Sequence, residues 1–323
     1  MNLRTTDLQT AAALKPVPMT QAPLGNIGFA GLGRMGSAMA ANLAAAKYEV
    51  TAFIRHPDQV GRLGTLGLKP TLNVADLFGC DIVVTMLPDD DAVRSVVFGD
   101  HGLSRGMKAG AIHLSMSTIS TAAAASVAKE HALRGQSYVA APVFGNPDAA
   151  KARELFVIAA GASADIERCR PLFDAIGQRT YVIGTDPAHA NLIKLLGNMM
   201  MATTIEMLGE TAAVVRRRGL DPKLFVDILT NTLFAGRAHK IYGDKIVRRA
   251  YAPGFALPLA LKDVRLALAE ADEANVPMPS VRVVRERMIE GIARGHGNLD
   301  WSALGLVADE KAVSSHDRPV ALF

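Results

Sequence analysis

The hexapeptide Gly31-Leu32-Gly33-Arg34-Met35-Gly36 directly follows an apolar run and opens a small-residue stretch through Ser37, Ala38, Ala40 and Ala41. The three glycines serve different physical ends, namely a tight turn, close approach of the backbone to a pyrophosphate, and packing of helix against strand. The N-terminus of the helix then offers free N–H groups and partial positive charge to phosphates. This spacing predicts a dinucleotide site. Selection of an unphosphorylated ribose usually rests on an acid at the end of the second strand, about 20 residues on. Here Glu49-Val50-Thr51-Ala52-Phe53-Ile54-Arg55-His56 puts Arg55 at that point. A guanidinium suits a 2′-phosphate through its charge and forked donors. The residues therefore favour NADP, with NAD the alternative if Arg55 is only a solvated turn residue.

A second group could move protons. Lys194 and Asn198 are four residues apart in an otherwise apolar helical stretch, with Asn191 on nearly the same stripe. A lysine there either snorkels to water or faces a pocket where desolvation lowers its pKa toward the range useful for proton transfer. Ser115-Met116-Ser117-Thr118 follows an apolar strand, at the sheet edge where open α/β folds bind ligands. Its hydroxyls could bond cofactor or substrate, cap the next helix, or do both. Lys262-Asp263 begins an amphipathic stretch, 261–274, and on its own reads as a solvated pair. No cluster of residues suggests a bound metal.

These residues need a frame. Short β-rich runs at 26–31, 49–54, 81–87, 111–115, 137–143, 155–161 and 179–183 alternate with helical stretches at 35–47, 89–98, 121–133 and 164–176. That alternation predicts a doubly wound, Rossmann-like α/β domain. After Pro187 every long periodic stretch reads as helix, starting with one over 188–218 that spans about 45 Å. Such a helix is long enough to join two domains. The division expected is a flexible extension at 1–24, a dinucleotide-binding domain at 25–187, an all-helical domain at 188–312 and a tail at 313–323. A chain of 323 residues with half its residues apolar can bury two cores. The 35 basic and 31 acidic residues are spread along the chain, which argues against nucleic acid as a partner. No uninterrupted apolar run reaches membrane-spanning length, and 1–24 lack the apolar segment of a secretory signal. Cys80 and Cys169 stand far apart with no metal-ligand spacing, as expected in a reducing, cytoplasmic setting.

Taken together, these motifs resemble the β-hydroxyacid dehydrogenases, which include 3-hydroxyisobutyrate dehydrogenase and the glyoxylate/succinic semialdehyde reductases. The similarity runs over about residues 26–311. It rests on Gly31 to Gly36, Met86-Leu87-Pro88, Ser117-Thr118, Ala141-Pro142-Val143, Lys194 with Asn198, and Lys262-Asp263. The stretch from Pro253-Gly254-Phe255 to Asn298-Leu299-Asp300-Trp301-Ser302 looks most like the glyoxylate/succinic semialdehyde reductase branch. The resemblance implies reversible hydride transfer between NADP(H) and a carbonyl/hydroxyl substrate, run as reduction of an aldehyde, semialdehyde or related compound. Lys194 would be the general acid/base, Asn198 would orient it, Ser117 would sit beside nicotinamide and substrate, and Lys262 would close over the cofactor. Met86, Leu87, Pro88 and Thr118 would line the cofactor site, and the helical domains would pair into a homodimer or homotetramer.

One segment departs from the pattern. Where the family reads Asp-Ala-Pro-Val-Ser-Gly-Gly, this chain has Ala140-Ala141-Pro142-Val143-Phe144-Gly145-Asn146. Phe144 replaces the serine whose hydroxyl helps bind a substrate carboxylate. This implies a pocket of Phe144, Gly145 and Asn146 for a less polar or larger carbonyl compound, with Asn146 or Arg237 as replacement donors. Imine reduction on the same scaffold and dinucleotide binding without turnover are the rival readings.

Overall fold

A computed structural model describes residues 25–314, so the extension expected at 1–24 and nearly all of the tail lie outside the described residues. The first half runs β1 (Ile27–Ala30), α1 (Arg34–Ala45), β2 (Val50–Phe53), α2 (Val60–Gly64), β3 (Lys69–Thr71), β4 (Ile82–Thr85), α3 (Asp90–Phe98), α4 (Leu103–Gly106), β5 (Ile112–Ser115), α5 (Thr121–Ala132) and β6 (Ser137–Ala140). It continues through β7 (Val143–Phe144), α6 (Pro147–Lys151), β8 (Leu155–Ala160), α7 (Ser163–Ile176) and β9 (Gly177–Gly184). Only helices follow: α8 (Pro187–Arg217), α9 (Pro222–Asn231), α10 (Arg237–Arg248), α11 (Leu257–Glu273), α12 (Pro279–Ala293) and α13 (Leu304–Ser314), with short 3₁₀ turns between the last two.

The nine strands form one sheet in the order β3-β2-β1-β4-β5-β6-β8-β7, with β9 beside β8. β1 to β6 pair in parallel. β1 and β4 are buried at every position, as expected of strands covered by helices on both faces. The chain leaves β1 toward β2 and returns to β1's other side with β4. That reversal opens a crevice beyond the carboxyl ends of the two strands.

The expected strand at 137–143 is in fact two. Pro142 has no N–H to donate to a ladder, and the chain turns at Ala141-Pro142 from pairing in parallel with β5 to pairing antiparallel with β8. Phe144 thereby sits on β7, aligned with Phe156. The edge strand β3 gave no sequence signal, being three residues long with a central proline. Lys262 does not begin its helix: α11 starts at Leu257, with Pro258 in the first turn, where a missing N–H costs nothing.

Helix α8 starts at Pro187, where the Asp186 carboxylate accepts a hydrogen bond from the Ala188 amide at 3.0 Å. Its first turns pack on α5, β6 and β8, and its later turns on α10, α11 and α13, so one rigid element carries residues from the sheet into the helical core. No helix among the described residues is long and apolar enough to cross a membrane.

Candidate active site

The glycine-rich turn leaves β1 at Gly31, which adopts φ +101°. A Cβ there would lie 2.3 Å from the Met86 carbonyl oxygen, so only glycine lets β1 and the end of β4 approach this closely. At Gly36 a Cβ would fall 1.9 Å from the Gly31 carbonyl oxygen, which is why the helix can start so near the turn. Gly33 is different: nothing lies within 4 Å of a Cβ built on it. It is the N-cap of α1, with no side chain capping the helix and no acid in the first turn. The amides of a twelve-residue helix therefore face open space without a competing anion. A dinucleotide's pyrophosphate fits that cradle.

The turn floors a cavity of about 780 Å³. Leu32, Arg34 and Met35 line it with the glycines, Arg55 and His56 stand at the β2 end, and Met86, Leu87, Pro88 and Thr118 form one wall. Gly254, Phe255, Leu259, Lys262 and Asp263 close it from the helical side. The guanidinium of Arg34 donates to the Pro253 carbonyl, tying the turn to that opposite wall. Asp300, 1% exposed, fixes the same wall: its Oδ2 accepts from the Gly254 and Phe255 amides at 3.1 and 3.0 Å, and Lys245 Nζ lies 3.2 Å from Oδ1. Residue-level reading missed this role for Asp300, because nothing local links it to a loop 45 residues earlier.

Lys194 stands deeper, 7% exposed, and does not line the cavity itself. Its Nζ donates to Asn198 Oδ1 at 2.9 Å, and Asn198 Nδ2 donates to Asp263 Oδ2 at 2.6 Å. Asp263 Oδ1 lies 3.0 Å from Lys262 Nζ in a contact too poorly aligned to count as a hydrogen bond, so the attraction there is electrostatic. Lys262 also donates to the Thr118 carbonyl. Burial pushes the Lys194 ammonium down to about 8, against the upward pull of the Asp263 charge, while Lys262 adds to the depression. A lysine so placed can hold or give up its proton near neutral pH. Far from being solvated, the Lys262-Asp263 pair has a buried carboxylate that links the lysine relay to the cavity wall.

The other expected residues are placed as follows. Ser117 is fully buried, and its hydroxyl accepts from the Leu87 amide at 2.8 Å. It holds the end of β4 while its neighbour Thr118 reaches the cavity. Ser120 caps α5, accepting from the Ala123 amide at 3.0 Å. Asn191 Oδ1 accepts from the Ile119 amide at 3.2 Å, locking this loop onto α8. Asn146 caps α6 by accepting from the Ala149 amide at 2.9 Å. Gly145 follows Phe144 at φ +143°. Arg237 is exposed and pairs with Glu154 at 3.2 Å, away from the cavity lining. Among the described residues no group of three or more His, Cys, Asp or Glu could hold a metal ion, and Cys80 and Cys169 are buried and unpaired.

Residues 26–184 match a family described as the NAD binding domain of 6-phosphogluconate dehydrogenase. Residues 188–307 match one described as NAD-binding of NADP-dependent 3-hydroxyisobutyrate dehydrogenase. An uncharacterized oxidoreductase of Bacillus subtilis is 36% identical over 283 residues, covering 86% of this chain and 98% of its own length. Glyoxylate/succinic semialdehyde reductase 1 of Arabidopsis thaliana is 31% identical, covering 86% of this chain and 96% of its own. The crystal structure of 3-hydroxyisobutyrate dehydrogenase from Salmonella typhimurium superposes with a TM-score of 0.80 at 24% identity, over 87% of this chain and 99% of that one. Relatives of this kind are oxidoreductases that act on CH–OH groups and bind a nicotinamide dinucleotide. With its glycine-rich turn, its buried lysine relay and the helical half that closes over them, the chain belongs to the β-hydroxyacid dehydrogenase family.

Proposed function

We propose that this protein is an NADPH-dependent reductase of an aldehyde, semialdehyde or related carbonyl compound. The observation that carries the reading is the continuous relay from Lys194 through Asn198 to Asp263, which ends on the wall of the dinucleotide cavity. When bound, the nicotinamide supplies the hydride. Lys194 Nζ holds the proton that the carbonyl oxygen needs as it becomes a hydroxyl. Asn198 fixes the amine's direction, and Asp263 keeps enough negative charge nearby for the ammonium form to persist at neutral pH. Ser117 acts through its grip on Leu87, keeping the Met86-Leu87-Pro88 wall in place. Lys262 braces the helical half against Thr118.

Arg55 supports the phosphorylated cofactor: it is exposed at the end of β2, lines the cavity, and has no acid beside it in sequence. A homodimer is part of the same proposal. Ile193, Met200, Met207 and Val214 are exposed on α8 at seven-residue spacing, and Leu220, Leu224 and Ile228 extend the apolar surface into α9. An exposed apolar stripe of this length supports pairing with a second copy about a two-fold axis. The test of function is a panel of aldehydes, semialdehydes, 2-oxo acids and cyclic imines with NADPH and NADH side by side. Oxidation of NADPH by an aldehyde or semialdehyde above background is the expected result. Turnover confined to imines, or none across the panel, overturns the reading.

A further inference from the structure

The ring of Phe144 covers the amine of Lys194. Its centroid lies 4.4 Å from Nζ. The ring also rests on α8 at Gly197, where a Cβ would fall 2.4 Å from Cζ and 2.6 Å from Cε1. Gly197 is three residues from Lys194 and so lies on the same side of the helix. The backbone of Phe144 is held by its pairing with Phe156 on β8. The freedom left at this position is rotation of the side chain, and the missing Cβ of Gly197 is the seat that lets the ring lie over the amine.

We propose that Phe144 is a gate and specificity determinant: seated on Gly197, it shields Lys194, and it admits carbonyl compounds whose ring-facing group is uncharged and apolar. The proposal rests on reading Lys194 as the proton donor. An aromatic face carries negative potential, so it attracts the ammonium beneath it and repels a carboxylate. A carboxylate pressed against it would lose water without gaining a donor. The charged alternative is engaged, because Arg237 pairs with Glu154 at the surface. An apolar substituent can stack on the ring or displace it at little cost.

Two measurements test this separately. In the first, the protein without cofactor is acetylated with limiting acetic anhydride. Labelling of Lys194 is then read by peptide mass spectrometry against Lys151, whose side chain is 71% exposed. At a pH well above 8, where the Lys194 amine is already neutral, access alone limits it: Lys194 should be protected in the parent protein, and Phe144→Ala and Gly197→Ala should each raise its relative labelling by roughly tenfold. Phe144→Leu, which keeps an apolar cover, should restore most of the protection. If Lys194 labels no faster in Phe144→Ala and Gly197→Ala proteins that melt within a few degrees of the parent, the ring is not the cover and the gate is wrong.

In the second, kcat/KM is measured with NADPH for matched aldehydes with and without a carboxylate. The parent should prefer the uncharged member by about tenfold or more, the scale of a single unmet polar contact, and Phe144→Ser should narrow or reverse that preference. A parent preference for the acid overturns the specificity claim. Protection of Lys194 without turnover of any aldehyde overturns the reductase reading and leaves the gate standing.

Discussion

Asn198 joins Lys194 on its own helix to Asp263 on α11, accepting from the amine at 2.9 Å and donating to the carboxylate at 2.6 Å. The amide is thus fixed in orientation from both sides. The carboxylate reaches the lysine through a neutral intermediary rather than by direct pairing, so it moderates the lysine's acidity without capturing its proton. This balance of burial against a relayed charge is the basis of the first two predictions.

Lys194→Ala should lower kcat by about 10²–10⁴ while leaving dinucleotide affinity nearly unchanged, because the glycine-rich turn that binds the cofactor is built by other residues. Steady-state kinetics on the best substrate, with cofactor titration by fluorescence, checks both halves.

Asp263→Asn keeps an acceptor for Asn198 but removes the negative charge that raises the Lys194 pKa. The lysine should then lose its proton at a lower pH than the parent's value of about 8. In the reductive direction activity needs the ammonium, so the alkaline limb of the pH–rate profile should move to lower pH in the variant. An unmoved limb would mean that another group sets it.

NADPH should bind more tightly than NADH by about 10- to 150-fold, the worth of one charge-assisted contact at Arg55 of roughly 1.5–3 kcal/mol. Arg55→Ala should bring the two dissociation constants together. Calorimetric titration of parent and variant decides it.

Charged side chains on the exposed row of α8, as in Met200→Glu with Met207→Glu, should convert a dimer to monomer. Both methionines are more than half exposed, so the monomer should fold. Sedimentation velocity and a melting curve read the two outcomes.

A buried chain in the first half should make the protein acid-sensitive. Gln136 donates to the Ser104 and Met107 carbonyls, so its Oε1 must accept from His131 Nδ1, at 2.6 Å. His131 Nε2 then accepts from His113 Nδ1 at 2.8 Å, and Thr85 donates to His113 Nε2 at 2.9 Å. Each ring carries one proton, and burial holds both imidazoles below the usual histidine range. Above about pH 6.5 both rings are neutral in the folded and unfolded chain alike and add no pH dependence of their own. Below that pH only the unfolded chain takes up protons, so stability should fall by up to about 1.4 kcal/mol per pH unit for each histidine. Buried Glu206, its carboxyl pushed up to about 7, gains stability over the same pH range, so the histidine effect is read as a difference: between pH 7.5 and 5.5, urea unfolding should show a smaller loss, or a larger gain, of stability in His131→Gln than in the parent.

Much of this protein was legible from local pattern. The strand–glycine turn–helix at 27–45, the long helix across 187–217 and the shared face of Lys194 and Asn198 depend on spacings of one to four residues, which the backbone geometry of helices and strands converts directly into position. Ligand binding at the carboxyl edge of a doubly wound sheet followed from the alternation of strands and helices, whereas the strand order that opens the crevice between β1 and β4 is a tertiary fact. What the sequence could not determine were relations between residues far apart in the chain. Asp263 read as half of a solvated pair because its partner Asn198 lies 65 residues away. Asp300 carried no signal of its own because the amides it binds belong to a loop 45 and 46 residues earlier. The break at Pro142 was readable only once β8 was known to pair antiparallel beyond it, and that break places Phe144 against Gly197. Side-chain packing between separate elements decided those points, since burial and hydrogen-bond partners are properties of the folded neighbourhood and not of the residue alone.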